Sequence, residues 1–182
     1  MTERKVILDL AISLDGYIEG PNGEVDWCVM EPEMDFPKFL SQIDTIFYGR
    51  KSYDKWGQHK PHRKALKSDQ IMWTLIHSKQ KYVFSRTAKS GPKDVTYISG
   101  EIATEVAAIK EQPGKDIWLY GGSELIESFM QLDLIDEYRL SVHPVILGAG
   151  KPLFPQLENR LSLTLKDTRT FSSGFVQLIY TK

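Results

Sequence analysis

The sequence predicts an α/β fold: a central, mostly parallel mixed sheet with helices on both faces and a C-terminal antiparallel hairpin. Two observations carry that expectation. As far as Gly122, short segments rich in Val, Ile, Tyr and Phe alternate with helical stretches, the pattern of parallel strands joined by crossover helices. Beyond the next helix, strand-like segments follow one another with no helix between them, so the end of the chain should be antiparallel. The 182 residues are expected to form one domain, residues 1–182, long enough to bury roughly two-thirds of the surface of the unfolded chain.

Taken in order, strands are expected over Lys5 to Ile12, Thr45 to Tyr48, Lys81 to Ser85, Val95 to Ser99 and Ile117 to Tyr120, then over Ile135 to Leu147, Leu161 to Thr170 and Gly174 to Tyr180. Phe36, Phe39, Leu40 and Ile43 recur at helical spacing, with Asp35 as the cap and Pro37 in the first turn. Ile102, Val106 and Ile109 share one face of a helix over Glu101 to Glu111 that Pro113 and Gly114 end. Another helix starts near Ser123. Loops are expected over Thr87 to Asp94, Glu111 to Lys115 and Gly148 to Pro155, and a hairpin turn at Ser172, Ser173 and Gly174.

Apolar residues make up 41% and charged residues 26%, the balance of an ordinary globular protein, and the net charge of −1 draws the chain neither to nucleic acid nor to an anionic membrane. No apolar run is long enough to span a bilayer, and MTERKVILDL lacks the features of a secretion signal, so a cytoplasmic protein is expected. The single Cys28 excludes an intramolecular disulfide and a cysteine-rich metal site, and reads as a small side chain. Nucleophile-elbow, phosphate-loop and zinc-helix motifs are absent. Pro61 argues against His59 and His62 holding one metal, so no metal is expected. The basic run HKPHRKALK reads either as a solvated loop entering a helix or as a phosphate-holding lip, and His143 before Pro144 as a structural histidine.

Positive signals fall at strand C-terminal ends, where open α/β sheets place ligands: LAISLDGYI, FYGRKSY, FSRT and LYGGSEL. Gly121 and Gly122 let backbone N–H groups approach a pyrophosphate at the start of a helix. Arg50, Lys51 and Arg86 add cations, and Ser52, Ser85 and Thr87 add hydroxyls.

These residues carry a resemblance. SLDGYIEGPNGEVDW, GRKSY, KYVFSRT and YGGSELIESFMQLDLIDEYRLSVHPVILGAGKPLF resemble the dihydrofolate reductase-like fold, and more closely the reductase domain of riboflavin biosynthesis (the RibD C-terminal domain family) as a stand-alone member. The resemblance runs from Val6 to Phe154 and implies an NADPH-dependent oxidoreductase. On it, backbone groups of Ala11 and Ile12 hold the nicotinamide carboxamide, and Leu14 to Trp27 form a mobile loop over the ring. Gly49, Arg50, Lys51 and Ser52 lie under the phosphates, and Ser85 and Arg86 flank the adenosine 2′-phosphate. Gly121, Gly122, Ser123, Glu124 and Leu125 meet the pyrophosphate.

On the substrate side the resemblance implies Asp15, Trp27 and Glu33 as catalytic residues, with Glu31 and Asp35 the neighbouring carboxylates. Asp15 also has an ordinary reading as a turn aspartate beside Gly16. Tyr120 stands where the riboflavin reductases carry a glutamate, which sets this chain apart on the substrate side from 5-amino-6-(5-phosphoribosylamino)uracil reductases; a deaminase half is not expected. The implied reaction is hydride transfer to a small pyrimidine- or pterin-like heterocycle. Dihydrofolate reduction and non-catalytic nucleotide binding are the alternatives. A small-molecule substrate, no nucleic acid, no membrane and a homodimer complete the expectation.

Overall fold

The computed structural model describes residues 3–62, 64–87, 92–154, 157 and 160–182. In chain order the elements are β1 (Val6–Ser13), β2 (Tyr17–Glu19), α1 (Phe36–Gln42), β3 (Ile43–Gly49), α2 (Arg50–Ser52, continuing in π-helical geometry over Tyr53–Gly57), α3 (Lys67–His77), β4 (Gln80–Phe84), β5 (Val95–Ile98), α4 (Ile102–Lys110), β6 (Asp116–Gly121), α5 (Ser123–Gln131), β7 (Glu137–His143), β8 (Lys151–Pro152), β9 (Thr164–Thr170) and β10 (Val176–Thr181). The protein is α/β, with mostly parallel strands and an antiparallel hairpin at its end. Residues 88–91 of the loop expected from Thr87 to Asp94, Pro155 of the next, and Arg63 of the basic run lie outside the described residues.

The chain packs as two compact units, Met1–Lys5 with Asp35–Gly122, and Val6–Met34 with Ser123–Lys182. In the first, the strand order is β5-β4-β3-β6 and every pairing is parallel. β3 is paired on both edges, and its run IDTIFYG is buried along most of its length, as in a parallel sheet covered on both faces. Ile46, Phe47, Val83, Val106, Ile109, Ile117 and Leu119 fill this core.

Arg4 is an unforeseen part of the first unit. Only 6% exposed, it donates from Nε to Lys115 O at 2.6 Å, from Nη1 to Ile109 O at 3.1 Å, and from Nη2 to Asp44 Oδ1 at 2.5 Å and Thr45 Oγ1 at 2.6 Å. One guanidinium thereby joins the end of α4, the turn after it and the start of β3.

The second unit orders its strands β1-β7-β10-β9, with β1 and β7 parallel and the remaining pairs antiparallel. Leu125, Ile126, Phe129 and Met130 make the buried stripe of α5. The hairpin turns where the sequence places it: Gly174 has φ +91°, a conformation that favours glycine, and Phe171 N–H donates to Phe175 O at 3.1 Å.

Three expectations are corrected. β7 stops at His143 rather than Leu147, since Pro144 has no N–H to continue a ladder and Val145 N–H turns back to His143 O. β9 begins at Thr164 rather than Leu161. Asp35 precedes α1 but does not cap it: with φ +49° its side chain makes no capping bond, and its carbonyl accepts from Lys38 and Phe39 instead.

The first part of the Leu14 to Trp27 segment, the loop expected over the nicotinamide, is hydrogen-bonded within the second unit. Leu14 N–H donates to Val145 O at 2.8 Å and Leu153 N–H to Gly16 O at 2.9 Å, and β2 pairs with β8. Gly150 belongs to this clasp: at φ +150°, a Cβ there would sit 2.2 Å from Glu19 O. Gly150→Ala should therefore open the β2–β8 pairing, read as faster amide exchange at Glu19 and Lys151 by tenfold or more; unchanged exchange would contradict this packing. Among the described residues no helix is long and apolar enough to cross a membrane.

Candidate functional site

In the first unit, parallel pairing brings three of the predicted turns side by side. Gly49 lies opposite Phe84, so GRKS after β3 neighbours SRT after β4; Tyr48 lies opposite Gly121, so the glycine pair after β6 flanks the other side of β3. Gly121 has φ +106° and the Gly121–Gly122 peptide bond is cis. A Cβ on Gly122 would meet only Ser52 Cβ, at 3.8 Å, which leaves open room beside that backbone.

The charge at these turns is mainly positive. Arg50 Nε pairs with Asp54 Oδ2 at 2.6 Å one turn along, while Arg86 is exposed and pairs with no carboxylate among the described residues. Lys51 is exposed and Ser52 half-buried. Ser85 N–H donates to Ile98 O at 2.9 Å, and its hydroxyl to Thr87 O at 3.0 Å, shaping the turn that presents Arg86. Gly49 supplies no side-chain cap to the helical turn after it.

Behind the glycines, Tyr120 occupies a bulge: Leu119 pairs with Phe47 and Gly121 with Tyr48, leaving Tyr120 between them. Its ring packs on Tyr48 at 4.8 Å and Trp118 at 4.9 Å. Tyr48 is fully buried and its hydroxyl has no partner among the described residues. Burial, then the neighbouring Tyr120 and Tyr53, raise its pKa, so it stays a neutral phenol. The FYGR motif carried that residue in plain view, but nothing in the sequence distinguishes it from an ordinary core tyrosine.

The remaining predicted residues lie in the second unit. Ala11 is half-buried and Ile12 buried near the end of β1, opposite Ser141 and Val142. Ser123, Glu124 and Leu125 open α5, with Leu125 buried and Glu124 exposed. Asp15 is exposed, and its carboxylate accepts from Ser13 Oγ at 2.7 Å, Leu147 N at 3.1 Å and Gly148 N at 2.7 Å. The Ser13 hydroxyl first, then the two backbone amides, outweigh desolvation and hold this carboxyl below the usual range. Asp15 is therefore an ionised tie between two loops at neutral pH, the geometry of its turn-aspartate reading. Asp15→Ala should raise amide exchange at Leu147 and Gly148 by about tenfold or more, and unchanged exchange there would remove that role.

Trp27 is half-buried and packs edge-on against His143 at 5.5 Å. Its indole N–H is buried without an acceptor among the described residues. Of the acidic residues after it, Glu31 is taken up by the hairpin, accepting from Ser172 Oγ at 3.0 Å and Ser173 N at 2.6 Å. Glu33 is exposed; Arg169 binds its backbone carbonyl at 2.8 Å and its carboxylate has no partner among the described residues. Half-burial pushes the Cys28 thiol up to about 11, with Asp26 adding to it, which agrees with an inert thiol. No group of three or more metal-ligating side chains occurs among the described residues.

Comparison with known proteins gives one family and a consistent set of relatives. The RibD C-terminal domain family model matches residues 4–177. YyaP of Bacillus subtilis (strain 168) is 55% identical over 99% of this chain and 96% of its own, and YwjB of the same organism 37% identical over 99% of both. Among solved structures, a putative riboflavin biosynthesis protein from Shewanella sp. PV-4 superposes with TM-score 0.79 at 26% identity, over 97% of this chain and 98% of that one. An Enterococcus faecalis dihydrofolate reductase complexed with NADP(H) superposes with TM-score 0.62 at 12% identity, over 97% and 95%, a likeness of fold alone.

Proposed function

Because the chain belongs to the RibD C-terminal domain family, we propose that it is an NADPH-dependent reductase of a small pyrimidine- or pterin-like heterocycle. The carrying observation is the edge of the first unit, where GRKS, SRT and Gly121–Gly122 lie beside one another on adjacent parallel strands. Cations, a helical turn with no side-chain cap, and backbone open beside Gly122 suit a polyphosphate. NADPH supplies the hydride when bound.

The chain's own residues then have separable tasks. Arg50, Lys51 and Ser52 take the phosphates, Gly121 and Gly122 with the start of α5 (Ser123, Glu124, Leu125) take the pyrophosphate, and Ser85 and Arg86 take the 2′-phosphate. Ala11 and Ile12 take the carboxamide through their backbone. Asp15 shapes the loop that precedes Trp27. Glu33 is the acid proposed for the proton, since Glu31 and Asp15 are both held ionised by hydrogen bonds. Tyr120 gives the neighbourhood of the glycines a neutral aromatic surface, so a substrate recognised through a carboxylate at that position is not the one expected. A cytoplasmic location and a homodimer belong to the same reading.

Arg86→Ala is the test. A hydrogen bond to a charged group is worth about 1.5–3 kcal/mol, so NADPH should bind roughly ten- to hundredfold more weakly. NADH, without the 2′-phosphate, should bind as before. Equal losses for both cofactors would remove the assignment, and NADPH binding with no oxidation by any pteridine or pyrimidine would favour a nucleotide-binding protein without catalysis.

A further inference from the structure

Of the two asparagines in the chain, only Asn22 is followed by glycine. A side-chain amide beside a glycine nitrogen is open to intramolecular attack, because no Cβ on the following residue blocks the approach. Asn22 is exposed and stands third in a turn from Gly20 to Gly23, which the Gly23 N–H closes on Gly20 O at 3.0 Å. Pro21 presets the second position, and Gly23 follows with φ +83°. Gly20 N–H in turn donates to Glu24 O at 2.9 Å.

The Glu24 side chain closes over this turn. Its Oε2 accepts the Asn22 backbone N–H at 2.8 Å, and its Oε1 accepts the Asn22 side-chain Nδ2 at 2.7 Å. The carboxylate lies so close that a Cβ on Gly20 would stand 2.4 Å from Oε2. Both reacting groups are thereby occupied: the Gly23 nitrogen donates to Gly20 O, and the amide it would attack is held on Glu24. Removing the carboxylate takes away two bonds to a charged group at once, so the open turn should gain about tenfold or more in population.

We propose that Asn22 is a deamidation site restrained by the Glu24 carboxylate, and that its conversion opens the Gly20–Glu24 turn. In the open turn the Gly23 nitrogen gives its proton to solvent base and bonds to Asn22 Cγ. The Cγ–Nδ2 bond breaks, and the nitrogen leaves as ammonia, taking up a proton. Water then opens the cyclic imide, at Cγ to give aspartate or at the backbone carbonyl to give isoaspartate. One water is consumed and one ammonia released, and nothing is oxidised or reduced. The inference is independent of the reductase reading.

The product cannot rebuild the restraint. An oxygen replaces the Nδ2 donor, so a second carboxylate faces Glu24, and isoaspartate also lengthens the backbone by a carbon. Gly150 packs on the same stretch, where a Cβ would stand 2.2 Å from Glu19 O and 3.3 Å from Gly20 Cα. Loosening the turn therefore reaches the β2–β8 clasp, and the change is one-way.

The test incubates the full chain in mildly alkaline buffer and follows the peptide that carries Asn22 by mass spectrometry. The folded parent should convert about tenfold or more slowly than the chain unfolded in urea. Glu24→Ala should speed conversion of the folded chain by about tenfold, and Glu24→Gln, which can accept only one of the two bonds, should fall between and stands in if Glu24→Ala does not fold. The product should be a mixture of aspartate and isoaspartate, the signature of the imide. Equal rates in the folded and unfolded parent, or Glu24 variants no faster than the parent, would overturn the restraint. No conversion of the unfolded chain, or aspartate alone, would overturn the site. Asn22→Asp stands for the product: its Gly20, Gly23 and Lys151 amides should exchange about tenfold faster than in the parent, and unchanged exchange would overturn the release.

Discussion

Arg4→Met should destabilise the first unit by about 3–5 kcal/mol, the range for removing one partner of a buried, hydrogen-bonded charge. The guanidinium of Arg4 feeds four acceptors on three segments: Ile109 O, Lys115 O, Asp44 Oδ1 and Thr45 Oγ1. Methionine fills much of the volume but leaves Lys115 O without that donor, while Ile109 O keeps Gln112 N–H at 3.2 Å; a buried unsatisfied group costs about 1–3 kcal/mol. Asp44 is cushioned, because Lys115 N–H also donates to its Oδ2 at 2.7 Å and its side chain is 39% exposed. Arg4→Lys should recover less than half, since one ammonium cannot span acceptors that a planar fork reaches. Urea denaturation measures both; a loss under about 1 kcal/mol for Arg4→Met would show that solvent replaces the fork.

The second large effect is a pH dependence centred on Asp9. It is 8% exposed in the middle of β1, opposite Arg139. Burial pushes its carboxyl up to about 7; Arg139 opposes the shift and Glu137 adds to it. The folded state therefore holds a proton that the unfolded chain has released. Stability is full below the ordinary carboxylate value, falls as pH rises from about 4 to about 7, and the loss approaches about 4 kcal/mol at most.

Glu137 acts in the opposite sense. Burial disfavours its charge, but Lys166 at 2.9 Å and Arg139 at 2.6 Å outweigh it and hold the carboxyl low, so its contribution disappears as the solution becomes acid. Maximum stability is thus expected at mildly acidic pH. Asp9→Asn should flatten the alkaline limb, leaving stability nearly level between pH 5 and pH 8 where the parent chain loses about 1–3 kcal/mol. Denaturant midpoints at both values check this, and a parent chain as stable at pH 8 as at pH 5 would contradict the burial argument.

Neither effect was legible in the sequence, whereas the fold class was. Alternation of strand and helix reports the period of burial, which is local, so TIFY and VAAIK declare themselves unaided, whereas Ile43, read at helical spacing, opens β3 instead. Arg4 sits in a stretch that reads only as charges before a strand; its partners lie 40 to 111 positions away along the chain. The clasp of Asp15 on Leu147 and Gly148 spans 132 and 133 positions and is equally silent. Asp35 shows the converse, a good capping residue in the right place whose backbone is left-handed and whose side chain makes no capping bond.

By itself the sequence determined the alternating architecture, the hairpin at Ser172 to Gly174, the family, and the GRKS, SRT and glycine-pair turns at strand C-terminal ends. Those depend on residue type at short spacing, where backbone sterics and hydrophobic period act directly. Which carboxylates are free to do chemistry was decided only by tertiary structure. Asp15, Glu31 and Glu33 look alike in the chain, but Asp15 accepts from the neighbouring Ser13 and from two distant amides, Glu31 from two distant donors, and Glu33 is exposed. A carboxylate's role follows from which donors reach it, and that distance is measured through space rather than along the chain.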